Sequence, residues 1–297
     1  MKKIFKRRCN DFECNRKKKR KQKMNKSIQI AREKIAQADA VLITAGAGMG
    51  VDSGLPDFRG DEGFWNAYPV IAKLGHSFAD MANPEWFDTN PKLAWAFYGH
   101  RLNLYRETVP HEGFALLKEL VESKKDYFIF TSNVDGQFQK AGFPEDKIYE
   151  CHGSIHHMQC TVCGIEIYSA NSVEVEVDME KFEALNLPCC PKCGEVARPN
   201  ILMFGDWGWN HSRSGEQSAR LDEFKADVYD KKQRLVIIEI GAGTHIPTVR
   251  HESEYTASEF EGGAFVVRIN PREHDIDGRL GVGITLGGLA GLKKLIS

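Results

Sequence analysis

The sequence predicts an α/β protein: a parallel-sheet domain with a smaller metal-binding module and a helical insertion. Three observations predict it. Short apolar runs alternate with helical stretches along the 297 residues. Glycine-rich turns follow two of those runs, at Ala45–Gly48 and at Gly241–Thr244. Two Cys-x2-Cys pairs bracket 26 residues in mid-chain.

Composition bounds the reading. At 42% hydrophobic, the chain can bury a full core in one large domain or two. No apolar run approaches the length of a bilayer span and no signal-peptide pattern is visible, so a cytoplasmic protein with no membrane span is expected. Residues 1–26 hold 13 Lys/Arg against two acids, which leaves about −12 on the remainder of a chain whose net charge is −1. This tail, with RKKKRKQK at Arg16 to Lys23, reads as a solvated, disordered extension. The sharper readings are a nuclear address, an anionic-surface anchor or weak nucleic-acid contact, and Met24 offers a second start.

Ser27 to Ala38 has the apolar spacing of an amphipathic helix, with Ser27 as its N-cap. Ala40 to Thr44 then reads as a buried strand. It feeds the stretch AGAGMGVDSGLPDFRG, Ala45 to Gly60, around which the chain is organised. Gly46 and Gly48 allow a tight turn and close approach to a ligand, with backbone amides free to face a diphosphate. An ordinary tight turn is the plainer reading, because Val51 stands where a third glycine would complete a dinucleotide fingerprint. Asp52, Ser53, Asp57 and Arg59 add more polar chemistry than a connector needs.

Residues 61–109 are rich in aromatics, and Pro91 to Glu107 has helical character. This segment is expected to be a helical insertion packed over the glycine loop. A helix from His111 to about Ser123, a strand from Tyr127 to Thr131, a short helix to Ala141 and a strand from Ile148 to Cys151 follow. The alternation predicts a parallel sheet with ligands at the strands' C-terminal ends, where Ser132-Asn133-Val134-Asp135 and His152-Gly153 fall.

Eight cysteines are Cys9, Cys14, Cys151, Cys160, Cys163, Cys189, Cys190 and Cys193. Disulfides are not expected without a secretory signal. Cys160, Cys163, Cys190 and Cys193 have the spacing of a tetrahedral thiolate site for one Zn2+, structural because no coordination position stays open. Cys189 rivals Cys190, with a less usual spacing to Cys193. Beyond the cysteines, 207–233 reads as mostly helical. Leu235 to Ile240 and Phe265 to Ile269 are strands, GVGITLGG is a loop, and Leu289 to Ile296 is a helix. The expected division is 27–155 and 197–297 for the sheet domain, with 61–109 inserted, and 156–196 for the zinc-binding module.

The ordered set GAG (46–48), SGLPDFRG (53–60), SNVD (132–135), HGS (152–154), the four cysteines, ARPNILMFGD (197–206), GAGT (241–244) and IN (269–270) resembles the sirtuins over about residues 28–296. The resemblance implies an NAD-dependent protein lysine deacylase with a Rossmann-like large domain. Acyl-lysine protein and NAD would meet between that domain and the zinc module, releasing nicotinamide and O-acyl-ADP-ribose. It further implies roles for single residues. Ala45, Gly46, Ala47 and Gly48 would meet the diphosphate. Asp57, Phe58 and Arg59 would form a cofactor loop, with Phe58 shielding the reacting ribose carbon. Ser132, Asn133 and Asp135 would line the ribose and nicotinamide pocket, with Asn133 counted in the catalytic set. Gly243 and Thr244 would contact phosphate and ribose, and Asn270 the adenosine ribose. His152 would be the general base, as its neutral imidazole suits. Met203, Phe204 and Gly205 would bind the substrate peptide.

Tyr98-x-x-Arg101 resembles the pair found in the desuccinylase class. Three-residue spacing on a helix puts both side chains on one face, where they could clamp the distal carboxylate of succinyl- or malonyl-lysine. The plainer reading is a buried aromatic beside a solvated arginine. Four residues depart from the family pattern: Ser132 for Gln, His245 for Ser, Met203 for Val or a Trp-like residue, and Asp206 for Glu. Ser132 removes or reroutes a ribose contact, and so keeps open an NAD-consuming hydrolase or ADP-ribosyltransferase.

Overall fold

The computed structural model of the protein describes residues 21–56, 64–65, 68–260 and 263–296. Helix α1 spans 21–37 and leads into β1 (Ala40–Ala45). Ser27 therefore lies inside a helix that has begun by Lys21 and does not cap one. The residues Lys21 to Lys26 are good helix formers apart from Asn25, with no glycine or proline among them, so the basic stretch continues the amphipathic helix. The rest of the tail, 1–20, lies outside the described residues.

Beyond the helical residues 64–65 follow α2 (Pro69–Leu74), α3 (Phe78–Met81), α4 (Trp86–Thr89) and α5 (Pro91–Glu107). Proline at the first turn and Asn90, whose Oδ1 accepts from the Leu93 amide at 3.2 Å, start α5 where the sequence predicts it. Helix α6 (Glu112–Glu122) is capped by His111, and leads to β2 (Asp126–Thr131), α7 (Gln137–Lys140) and β3 (Ile148–Glu150).

The chain then leaves the main sheet. Strands β4 (Gly153–Gln159), β5 (Tyr168–Ser169) and β8 (Arg198–Ile201) form an antiparallel sheet of order β5-β4-β8, and β6 (Val177–Asp178) pairs with β7 (Glu183–Ala184). It returns through α8 (Ser212–Asp230), β9 (Leu235–Ile240), α9 (Thr248–Glu259), β10 (Phe265–Ile269), β11 (Gly281–Ile284) and α10 (Gly288–Ile296).

The main sheet is parallel, in the order β11-β10-β9-β1-β2-β3. The direction of strand succession reverses between β1 and β9, the position where open α/β sheets take their ligands. Strand β11 corrects the sequence reading, which expects GVGITLGG to be a loop. A β-carbon on Gly281 would fall on the Val266 carbonyl, and one on Gly283 on that of His274. The glycines admit an edge strand into a tight space, which hydrophobic patterning cannot signal.

Apolar side chains cover both sheet faces. Val41, Ile43 and Ile238 pack with Ile35, Phe114 and Leu292 on one side. Leu42, Phe128 and Ile237 pack with Phe224 and Val249 on the other. A third cluster joins Trp95, Phe97 and Tyr98 of α5 to Val175, Phe182 and Ala184. The helical insertion and the cysteine-bearing segment thus share one core and build a small lobe together. A β-carbon on Gly99 of α5 would strike the Val175 side chain, which explains a glycine in mid-helix. No helix among the described residues is long and apolar enough to cross a membrane.

Candidate active site

Adjacent strands β1 and β9 each end in a glycine turn, and the two turns interlock. Gly46 donates to the Ile240 carbonyl at 3.0 Å, and Gly48 to the Gly241 carbonyl at 3.1 Å. A β-carbon on Gly46 would lie 2.9 Å from the Ala242 α-carbon. One on Gly241, which has φ +65°, would lie 2.5 Å from the Met49 nitrogen. Glycine is therefore required here by turn-to-turn contact. The sequence reading expects the amides of Ala45 to Gly48 to face a diphosphate. Those of Gly46 and Gly48 are instead bonded across to β9 and its turn, and Ala47 is the exposed residue of the four. Asp52 and Ser53 brace this loop: Asp52 accepts the Leu289 amide at the start of α10 at 2.8 Å, and Ser53 accepts the His111 amide at 3.0 Å.

The end of β2 reaches the same point. The Ser132 amide donates to the Ala45 carbonyl at 3.1 Å, and the Asn133 carboxamide donates to the Gly46 carbonyl at 3.1 Å. Two residues on, half-buried Asp135 accepts the Gln137 amide at 2.9 Å. Burial pushes its carboxyl up to about 6, against the opposing pull of the Gln137 amide and the Arg101 charge.

His152 lies just past the end of β3. Burial holds its imidazole below the ordinary range, partly offset by a backbone hydrogen bond at Ser132. Its carbonyl accepts the Leu202 amide at 2.9 Å, which ties it to the chain leaving β8. The ends of β1, β2, β3 and β9 thus bring Asn133, Asp135, His152 and both glycine turns to one rim.

Asn270 is placed differently from expectation. It is 0% exposed, its carboxamide donates to the Ala242 carbonyl at 2.8 Å, and its Oδ1 accepts the Arg272 and Glu273 amides at 3.0 and 2.8 Å. It shapes the turn and offers no surface to a ligand. What it projects is Glu273, whose carboxylate accepts the exposed Thr244 hydroxyl and lies beside Gly243. Asp57, Phe58 and Arg59 lie outside the described residues. NAD, implied by the resemblance, fits this rim by its chemistry. Exposed Ala47 and Thr244 flank the strand-order reversal, and a hydroxyl–carboxylate pair suited to ribose stands beside them.

In the small lobe, Tyr98 is 1% and Arg101 6% exposed, so the arginine is buried rather than solvated. The Arg101 Nε and Nη2 donate to the Tyr105 hydroxyl at 3.0 and 2.9 Å, and the guanidinium lies 5.1 Å from the Phe97 ring centre and 5.8 Å from that of Tyr98. The Tyr98 hydroxyl is buried with no hydrogen-bond partner among the described residues. Sequence reasoning missed Tyr105. Its four-residue spacing from Arg101 on a predicted helix was the available signal.

After β8, Met203 is buried, Phe204 is exposed and Gly205 has φ +67°. Asp206 explains this turn. It forms a buried bidentate ion pair with Arg198 and accepts the Met203 and Gly208 amides, each at 3.2 Å.

The sulfur atoms of Cys160, Cys163, Cys190 and Cys193 all lie within 4.8 Å of one another. Cys160 and Cys193 are 3.7 Å apart, and Cys163 and Cys190 3.5 Å. A tetrahedron of Zn–S bonds of about 2.3 Å has edges of about 3.8 Å, so the four thiols fit zinc. The Val162 and Lys192 amides approach Cys160 and Cys190 at 3.4 Å, a hydrogen-bonded setting suited to thiolates. Cys189 is exposed and its thiol points to the Leu187 carbonyl, which decides between it and Cys190.

Comparison with known proteins agrees with this geometry. The Sir2 family model matches residues 46–227. The chain is 31% identical over 237 residues to an NAD-dependent protein deacylase of Aquifex aeolicus, covering 80% of this chain and 85% of that protein. It is 29% identical over 246 residues to NAD-dependent protein deacylase 1 of Caldanaerobacter subterraneus, covering 83% and 88%. A crystal structure of a Sir2 homolog–NAD complex is similar in fold, with TM-score 0.67 at 22% identity over 90% of this chain and 92% of that one. The matched segment runs from the first glycine turn through the four cysteines and into α8, and the chain belongs to the Sir2 family.

Proposed function

We propose that the protein is an NAD-dependent protein lysine deacylase with His152 as its general base. The observation that carries this is the meeting of His152, Asn133 and both glycine turns at the strand-order reversal. The Sir2 relatives named as NAD-dependent protein deacylases support it. NAD would supply the sugar that takes the acyl group when its bond to nicotinamide is cleaved. The chain's own residues do the rest. The exposed edge of the turns at Ala47, Gly243 and Thr244, with Glu273, holds the dinucleotide. Asn133 and Asp135 hold its nicotinamide end. His152, kept neutral by burial, takes up the proton at a ring nitrogen. Met203, Phe204 and Gly205 receive the lysine-bearing segment, and the cysteine site holds zinc for structure.

The Tyr98 and Arg101 pair on α5 supports an acyl group with a distal carboxylate, such as succinyl or malonyl. A buried phenol with no hydrogen-bond partner among the described residues stands beside a buried guanidinium, and both are suited to an anion's oxygens.

Ser132 favours a second reading. With its amide bonded to Ala45 and its short side chain in place of a carboxamide, it leaves room for water at the sugar, as an NAD-consuming hydrolase or ADP-ribosyltransferase would need. Incubation with NAD and acetyl- or succinyl-lysine peptides tests both. Nicotinamide release that requires the acyl peptide is expected. Equal NAD loss without any peptide would transfer the assignment to the second reading.

A further inference from the structure

Most tryptophans bury most of their surface, yet Trp207 is 100% exposed. It stands in the loop that leaves β8, and that loop is held by buried polar side chains. The Gln159 carboxamide donates to the Gly208 carbonyl at 2.8 Å and accepts the Asn210 amide at 3.1 Å. Asn200 donates to Gln159 at 2.9 Å and to the Asn210 carbonyl at 2.8 Å. The Arg198–Asp206 pair fixes the near side. Gln159, Asn200 and Arg198 are all buried, so a costly polar frame serves a loop whose most prominent side chain touches only solvent.

The loop's own exposed side chains are also uncharged. Asp206 is the sole ionisable residue from Leu202 to Trp209, and its side chain is buried against Arg198. Leu202, Phe204 and Trp207 are exposed around it, on a protein whose residues beyond the tail sum to about −12. The face begins at Leu202, the residue whose amide is bonded to His152. The main chain there has little left to offer a partner as donor. The amides of Leu202, Met203 and Phe204 are spent on His152, Asp206 and the Ala82 carbonyl. A segment lying along Leu202 to Phe204 therefore depends more on side-chain contact there.

We infer that Trp207 is an anchor for the protein substrate, binding an apolar or aromatic side chain that flanks the acyl-lysine. A rigidly held tryptophan loses little conformational freedom on binding and offers a large apolar face. An uncharged loop offers nothing to strongly basic or nucleic-acid partners, which need charge to bind. The inference rests on the deacylase reading, because it places the occupant by continuity with His152.

The test compares Trp207→Ala with the wild-type full chain on two NAD-dependent substrates. One is a single acyl-lysine with blocked ends, which has no flanking side chain to set against Trp207. The other is an acyl-lysine peptide with leucine and phenylalanine on both sides. The expected result is unchanged turnover of the short substrate, with KM and directly measured Kd for the flanked peptide raised at least about tenfold. Loss of the wild type's preference for apolar over glutamate flanks should accompany it. Equal kinetics for variant and wild type on the flanked peptide would overturn the inference. So would a Trp207→Ala effect traced by sedimentation to a lost self-association. Failure of the wild type to turn over either substrate would overturn the deacylase reading instead.

Discussion

The Asn133 carboxamide bridges two strands' ends by donating to the Gly46 carbonyl at 3.1 Å. It therefore fixes the first glycine turn, one residue after Ser132, whose backbone is hydrogen-bonded to His152. Asn133→Ala should cost about 1 kcal/mol of stability, the net worth of one such bond. It should weaken NAD binding by more than that cost explains, because the turn loses its brace. Denaturant unfolding together with calorimetric NAD titration checks this. Unchanged NAD affinity would remove the coupling.

Gly241 is the tighter test of the interlocked turns. Its left-handed φ of +65° and its contact with Gly48 and Met49 forbid a side chain. Gly241→Ala should destabilise the fold by about 2–4 kcal/mol, from backbone strain and overpacking together. Gly243→Ala meets only the Glu273 carboxylate, 3.6 Å away, and should leave stability nearly unchanged while weakening NAD binding. Equal melting losses in the two variants would contradict this division of roles.

These contrasts mark what the sequence could disclose. The order of strands and helices was legible because periodicity reports burial directly: Leu235 to Ile240 is apolar at five of six positions and is a central strand. Helix α5 was legible because Asn90 and Pro91 announce its start. Strand β11 was not, since its glycines answer to a neighbour's carbonyl rather than to a pattern. The rim itself was legible as residues following strand ends. Which atoms remain to meet a ligand was not, because Gly46, Gly48 and Asn270 spend their donors on partners far away in sequence. The shared core of α5 with the cysteine segment is likewise a matter of contacts across 80 residues or so, as with Phe97 and Phe182, which no local spacing encodes.

Two ionisable groups at the rim set a pH response. The Asp135 carboxyl rises from 3.8 to about 6, so the folded protein binds that proton more tightly than the unfolded chain. Its stabilising contribution is full below 3.8 and is lost as pH rises through about 6. Asp135→Asn should therefore gain stability over the wild type above pH 6, with the gap closing toward pH 4. His152 is shifted the other way, below 6.5, and stays neutral into mildly acidic solution. The acid limb of kcat/KM assigned to the base should then fall below pH 6.5 and persist in Asp135→Asn. A limb centred above 6.5 would contradict His152 as the base.

Zinc should act at a distance. Arg106 of α5 donates to the Val173 and Ala170 carbonyls at 2.7 and 2.6 Å, and Asn103 to that of Val175 at 2.8 Å. Disorder in the cysteine segment would thus loosen the helix that carries Tyr98 and Arg101. Metal analysis should find about one zinc per chain. Cys163→Ser or chelation should abolish acyl-peptide turnover while the main sheet still binds NAD. Loss of NAD binding in step with the metal would show that the two parts are not separable.

Arg101 gives the sharpest prediction about the acyl group. Its guanidinium is already held by the Tyr105 hydroxyl and by surrounding rings, so its position does not depend on a ligand. A distal carboxylate of the acyl chain would meet this held guanidinium in a charge-assisted contact. Arg101→Met keeps the apolar contacts and removes the charge. It should cut kcat/KM for succinyl-lysine peptides at least about a hundredfold, the worth of a charge-assisted bidentate contact, and change acetyl turnover far less. Because the substitution also unpairs the Tyr105 hydroxyl, a general loss of folding would lower both activities together. Tyr98→Phe separates the cases: it removes only the unpartnered hydroxyl, leaves the ring stacked on Phe87 at 5.7 Å, and should lower succinyl turnover alone. Equal losses on both substrates in a Tyr98→Phe variant that melts like the wild type would remove the clamp.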